Sequence, residues 1–226
     1  QVNGIPVTIE EKERPEEQCT TTCGCVKGGS NLSDGVSSCC TVEHPSYNDL
    51  GILTCAHGFE DDMCDSIGGT KVNVCPNGQD NFVGYVNDYD TPQDWAFILE
   101  DSGADISGLD NEIISANYEV QGHVTKNGVE HMISNNETLH KYGQATCHTT
   151  GEITEISNWD RCGSTVKRFE FSIQANKGDS GGAHYRELNN YNITSVVGVH
   201  NTGITGAPAY KINNDHGIEF TNNSSC

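Results

Sequence analysis

The stretch "RFEFSIQANKGDSGGAHY", residues 168 to 185, runs from an alternating apolar and polar segment into a serine framed by an aspartate and two glycines. Alternation with period two is the mark of a half-buried strand, and glycines supply the positive-φ positions of a tight turn. The segment therefore reads as a strand that delivers Ser180 on a turn. A serine hydroxyl is a poor nucleophile until an imidazole takes its proton. Ser180 thus carries chemistry only if a base and an orienting acid come from elsewhere in the chain; without them the stretch is an ordinary turn.

Working outward, short β-branched-rich runs recur between turn signals: "LGILTC" at 50 to 55, "TKVNVC" at 70 to 75, "NFVGYV" at 81 to 86 and "WAFIL" at 95 to 99. After an irregular passage at 101 to 116 the pattern resumes with "YEVQGHV", "GEITEI", "VKRFEFSI", "ITSVVGV" and "PAYKI". These runs read as strands, and no long helical period appears. Many short strands with 25 glycines predict an all-β barrel or sandwich. The irregular passage divides the strands into two sets, which gives an N-terminal extension over 1–35 and two β domains over 36–116 and 117–226.

The charge excludes some partners. With 32 Asp plus Glu against 12 Lys plus Arg, the formal charge is -20, which repels nucleic acid and anionic membranes. The acid is spread along the chain, with a local concentration in "EEKERPEE" at 10 to 17 that reads as solvated and mobile. Such a surface suits high salt, where a Debye length of about 3 Å at 1 M relieves self-repulsion. Eleven cysteines favour disulfides and a secreted location, and the odd number leaves at least one unpaired. Sequons at Asn31, Asn136, Asn192, Asn222 and Asn223 are weak support for secretion. The absence of an 18-residue apolar run and of a leader, with Gln1 first, reads as a processed or excerpted chain without a membrane span. The C-x3-C-x-C spacing of "CTTTCGC" in the extension fits a metal site or a disulfide staple; without a nearby histidine the disulfide is favoured.

Two candidates answer the demand raised by Ser180. "LTCAHGF" places His57 just after a strand, and "QDWAFIL" starts a strand with Asp94, whose carboxylate sits where core meets solvent. Asp88 and Asp90 are rivals for the acid, but they precede "TPQ" and look like loop acids.

In the order His57, Asp94, Ser180, these motifs resemble the chymotrypsin-like and trypsin-like serine protease family. "T-C-A-H" resembles its T-A-A-H, "D-W-A-F" its D-I-A-L, and "G-D-S-G-G" matches its nucleophile motif; the likeness spans roughly residues 36 to 215. "VVGVHNTG" at 196 to 203 resembles the strand lining the specificity pocket and ending at Gly203, and "GQATCHTTGEIT" at 143 to 154 a glycine-rich hairpin of bacterial secreted members. The resemblance implies two antiparallel six-stranded β-barrels with the active site in the cleft between them. It implies a secreted serine endopeptidase, monomeric, acting on protein or peptide substrates without cofactor or metal. His57 would be the base, Asp94 its orienting acid, Ser180 the nucleophile, and the N–H groups of Gly178 and Ser180 the oxyanion hole. A catalytically silent binding module on the same scaffold, and an esterase using the same triad, are the alternatives.

The resemblance also sets the specificity question. Gln174 stands at the position that forms the pocket base in the family and carries no negative charge, which argues against Arg or Lys at P1. Lys177 and His200 fall on pocket-facing positions, and "G-V-H" resembles the G-I-H of glutamate-specific members, so cleavage after Glu or Asp is expected. Ala175 and Thr202 depart from those members, and an ordinary strand role for His200 is the competing reading. Gly58 replaces the usual cysteine after the base; the pairs Cys40–Cys55 and Cys147–Cys162 are what the family pattern suggests, each closing a loop worth roughly 3 kcal/mol. There is no I-V-G-G start, so a new N-terminal amine is not expected to pair with Asp179, whose partner stays open. The end "EFTNNSSC" lacks the C-terminal helix typical of animal members.

Overall fold

The computed structural model describes residues 25–62, 64–74, 81–114, 118–188 and 193–226. The acidic run at 10 to 17, Cys19, Cys23, Cys75 and the sequon at Asn192 lie outside the described residues. Among the described residues the chain forms β1 (Cys25–Gly28), β2 (Cys40–His44), β3 (Asp49–Thr54), β4 (Lys71–Val74), β5 (Asn81–Asp90), β6 (Trp95–Glu100), β7 (Gly108–Ile113) and β8 (Tyr118–His123). Helix α1 (Lys126–Ser134) follows, then β9 (Thr138–Gly143), β10 (Cys147–Arg161), β11 (Ser164–Phe171), β12 (Ala183–Leu188), β13 (Ile193–His200), β14 (Thr205–Pro208), α2 (Ala209–His216) and β15 (Glu219–Phe220).

Two sheets result. The first is wholly antiparallel, in the order β15-β2-β3-β6-β5-β4. Its buried Ile52, Leu53, Trp95, Phe97 and Ile98 come from the runs that the sequence marks as strands. The second contains a closed ring, β13-β12-β9-β10-β11-β14, shut by pairing of β13 with β14. The all-β, two-barrel expectation is met. To the ring are added β8, β7 and β1, through parallel β8–β13 and β1–β7 pairs.

Three local readings change. The irregular passage 101 to 116 contains β7, whose pattern alternates buried and partly buried positions although its sequence, "GLDNEI", is mostly polar. "PAYKI" is the start of α2 rather than a strand: Pro208 sits extended at the N-cap, which suits a residue without an N–H to donate, and Gly217 ends the helix at φ 71. The extension is tied down where it is described, because β1 pairs with β7 and Cys25 is disulfide-bonded to Cys226.

The suggested disulfides are also corrected. Cys162 pairs with Cys64, at a Cα separation of 5.6 Å. Cys147 opens the 15-residue β10 and Cys162 lies just past its end, and a strand of that length extends roughly 50 Å. Cys40 and Cys55 are both free, as is Cys39. Cys40 sits opposite Leu53 in the β2–β3 register and its sulfur lies 3.7 Å from that of Cys39, while the Cys55 sulfur is turned toward His57. No helix among the described residues is long and apolar enough to cross a membrane.

Candidate active site

His57 follows β3, and Asp94 immediately precedes β6, its neighbour in the sheet. The Asp94 side chain is buried to 1% exposure, and both its oxygens lie 3.0 Å from His57 Nδ1. The backbone N–H of His57 donates to Oδ1 of the same carboxylate at 2.9 Å. A carboxylate facing Nδ1 selects the tautomer with the proton there, so Nε2 is left as the acceptor. Asp94 holds a left-handed backbone, φ 64, unusual for a non-glycine residue and of the kind that gathers at functional sites. The rivals are engaged elsewhere: Asp88 bonds His44, and Asp90 pairs with His216.

The second barrel reaches the same carboxylate. Arg161, at the end of β10, places Nη1 2.7 Å from Asp94 Oδ2 and Nη2 2.7 Å from Glu60 Oε2, and Arg168 Nη1 lies 3.7 Å from Asp94 Oδ2. Next to Arg161, the Cys64–Cys162 bridge fastens the β10–β11 hairpin tip to the first barrel. Burial works against the charged form of Asp94, but the His57 hydrogen bond and the charges of His57, Arg161 and Arg168 outweigh it and hold the carboxyl well below its usual range. Burial likewise pulls His57 down; the Cys55 sulfur and the Asp94 carboxylate reverse this and push it up to about 10. A cavity of about 390 Å³ opens beside these groups, lined by His57, Asp94, Trp159, Arg161, Arg168 and Thr202 among others.

The turn that carries Ser180 packs closely against the chain that leads to His57. A Cβ on Gly181 would meet Ser37 O at 2.1 Å, Thr54 Oγ1 at 2.2 Å and Cys55 N at 3.2 Å, so only glycine lets the turn lie against the chain that leads to His57. Ser37 N–H donates to Ser180 O at 2.6 Å. The Ser180 hydroxyl donates to Asn201 O at 2.9 Å rather than to His57, and the Asn201 amide donates to Asp94 O at 2.8 Å. Asn201 therefore links the acid to the serine. Gly178 has φ 108, and the N–H groups of Gly178 and Ser180 donate to no acceptor among the described residues. Two unspent amides beside a hydroxyl are what stabilisation of an oxyanion requires.

The partner of Asp179 is Lys141, on β9. Its Nζ lies 2.8 Å from Asp179 Oδ2, with both side chains fully buried. The carboxylate also accepts from Thr146 Oγ1 at 2.7 Å, from the N–H groups of Ala145 and Thr146 at 3.0 Å and from that of Asn176 at 2.9 Å. Burial disfavours the charge, but Lys141 and these donors hold Asp179 below its usual range. Removing one member of a buried pair strands the other, at a cost of about 3 to 5 kcal/mol. Lys141→Met should lower the thermal midpoint by roughly 6 to 20 °C, and adding Asp179→Asn should restore part of it. A Lys141→Met midpoint within 2 °C of the native one, in calorimetry at neutral pH, would contradict this. Because Asp179 lies below its reference value of 3.8 when folded, its stabilisation is present above about pH 4 and drains as pH falls further.

The expected specificity residues differ in burial. His200 is buried at the end of β13, its ring 5.2 Å from that of His184 and 5.4 Å from Phe171. Burial, then the Lys141 charge, pushes His200 down to about 3, and burial holds His184 well below its usual value. His200 Nδ1 and both nitrogens of His184 lack a partner among the described residues. Lys177 and Gly203 are exposed, and Gln174 is exposed beside His148, Thr149 and Thr150 along another cavity. The sequence reading missed His184, although it lies four residues past Ser180 in the same stretch, as well as Lys141, Arg161, Arg168 and Asn201.

No protein-family model matches this chain, and no curated protein matches it. Solved structures do. One is a chymotrypsin of Cellulomonas bogoriensis, with TM-score 0.59 and 20% identity over 87% of this chain and 98% of that one. Another is a protease of Nocardiopsis, with TM-score 0.61 and 19% identity over 85% and 97%. A third is a glutamic acid specific serine protease described as using a histidine triad in substrate binding, with TM-score 0.62 and 16% identity over 86% and 99%. Along most of its length the chain has the fold of the chymotrypsin-like bacterial serine proteases.

Proposed function

We propose that this chain is a secreted serine endopeptidase that cleaves peptide bonds through an acyl-enzyme and prefers an acidic residue at P1. The observation that carries the reading is the pairing of His57 Nδ1 with a buried Asp94, next to a turn on which two unspent amides flank Ser180. His57 Nε2 takes the Ser180 proton as the hydroxyl attacks the carbonyl carbon, and returns it to the leaving amine. Asp94 stabilises the imidazolium that forms. Gly178 and Ser180 N–H bind the oxyanion. The Ser180 hydroxyl must rotate from Asn201 O toward His57, an adjustment in keeping with catalytic hydrogen bonds that tighten only around substrate.

The acidic preference is supported by the His184–His200 contact, which leaves imidazole nitrogens without partners in a buried site. Both imidazoles are neutral in the free protein, so a substrate carboxylate would find N–H donors and could draw a proton onto His200. The histidine triad ascribed to the glutamic acid specific structure is a parallel, although the rings against His184 and His200 here are each other, Phe169 and Phe171. A hydrogen bond to a charged group contributes about 1.5 to 3 kcal/mol. His200→Ala should therefore lower kcat/KM for Glu at P1 by roughly 10- to 150-fold and leave apolar P1 substrates far less affected. Peptide-library profiling checks this, and dominant cleavage after aromatic or basic residues would end the acidic-P1 reading. Disulfides fit an oxidising compartment, and the charge of -20 fits a saline one. Thermal stability that fell between millimolar and molar salt would remove the halophilic part.

A further inference from the structure

Behind the specificity histidines, on the other face of the same strands, three side chains converge without a role in the chemistry above. In the regular β9–β12 register, Lys141 lies opposite His184 and His140 opposite Tyr185. Lys141 and His184 thus face one way while His140, Tyr185 and, two residues on, Glu187 face the other. His148, on β10, joins them: its Nε2 lies 3.0 Å from His140 Nδ1, and Glu187 Oε1 lies 3.3 Å from that same Nδ1. All three donor atoms lie within 4.8 Å of one another.

A tetrahedral ion with ligands at about 2.0 to 2.1 Å needs donor atoms roughly 3.3 Å apart. Two of the three separations are already near that value, and Glu187, at 35% exposure, has the side-chain freedom to close the third. Hydrogen bonding alone serves the cluster poorly. One proton on His140 Nδ1 cannot satisfy both the His148 lone pair and the carboxylate, whereas one cation satisfies three lone pairs together. The His140 side chain is mostly buried, at 14% exposure. Its ring is held against Tyr185, at 5.4 Å and 25°. A cavity of about 320 Å³ bordered by His148 gives a route from solvent.

We propose that His140, His148 and Glu187 form a site for a divalent transition metal of the zinc class, with the fourth position left to water. Three strands of a closed barrel hold the ligands, so the ion stiffens β9 and β12 behind Lys141 and His184.

The test is titration of the whole protein, freed of metal by chelation, with Zn²⁺ in a calorimeter, and with Co²⁺ followed by its visible absorption. The native chain should bind Zn²⁺, show a Co²⁺ spectrum of tetrahedral type, and gain roughly 5 to 10 °C in thermal midpoint at a hundredfold excess over Kd. His148→Gln and Glu187→Gln should each weaken binding more than about tenfold, with the metal-free midpoint kept. Should His148→Gln fail to fold, Glu187→Gln, at a more exposed position, decides alone. No Zn²⁺ binding by the native chain up to millimolar, or equal binding by the folded variants, overturns the site.

Discussion

Ser180→Ala is expected to lower kcat on a peptide substrate by roughly 10⁶-fold, with KM little changed and the thermal midpoint within a degree or two of the native one. The hydroxyl is half-buried and makes a hydrogen bond to Asn201 O, so its loss leaves only one carbonyl to find another donor. The turn itself is held by other groups. Asp179 is fixed by Lys141, Thr146 and three backbone N–H groups, and Ser37 bonds Ser180 O and Gly178 O. The amides of Gly178 and Ser180 therefore stay in position, and a small residual rate over water survives through the oxyanion hole. A fluorophosphonate probe should label the native chain at Ser180 and leave the variant unlabelled. A native chain that neither labels nor digests peptide would be a binding module on a protease scaffold; one that labels and cleaves only esters would be an esterase. An alanine variant retaining full activity would remove Ser180 from the mechanism.

The parts of the site that the sequence made legible are those whose meaning is local. The glycines around Ser180 mark a turn because backbone conformation depends on the residue itself, and Gly178 and Gly181 do adopt φ 108 and 85. The strands beside His57 and Asp94 show as short apolar runs within six residues. What stayed hidden depends on distant folding. The Lys141–Asp179 pair spans 38 positions, and nothing in "TLHKYG" at 138 to 143 announces that a lysine there points inward to full burial. Arg161 reaches Asp94 only because a 15-residue strand carries the hairpin back to the first barrel, where Cys162 meets Cys64 across 98 positions. Family habit misdirected the cysteines for the same reason, since loop length says nothing about which way two sulfurs point. The polar β7 was read as irregular because its place in the sheet comes from β1 and β8 on either side and not from its own pattern.

Asp94→Asn should lower kcat by roughly 10⁴-fold while disturbing KM far less. The size follows from which way the new amide must face. Arg161 and Arg168 present only N–H donors to Oδ2, and a guanidinium bond is stronger than a neutral one, so the asparagine oxygen will turn to them. Its NH₂ then faces His57, gives up the bond that Oδ1 accepts from the His57 backbone N–H, and requires Nδ1 as an acceptor. That moves the imidazole proton to Nε2, the nitrogen that has to receive the Ser180 proton, and the base is switched off with its ring still in place. A pH profile separates this from general damage. In the native chain His57 stands at about 10, so kcat/KM should climb with pH as the imidazolium gives up its proton. Without the carboxylate that helps to raise it, His57 loses its proton more easily, and the limb of the variant should lie at lower pH beneath its much reduced ceiling. Steady-state kinetics on one peptide between pH 6 and about 10.5 reads both quantities. A variant within tenfold of the native kcat, or one whose limb does not move, would mean that Asp94 serves the two arginines and the fold but not the chemistry of His57.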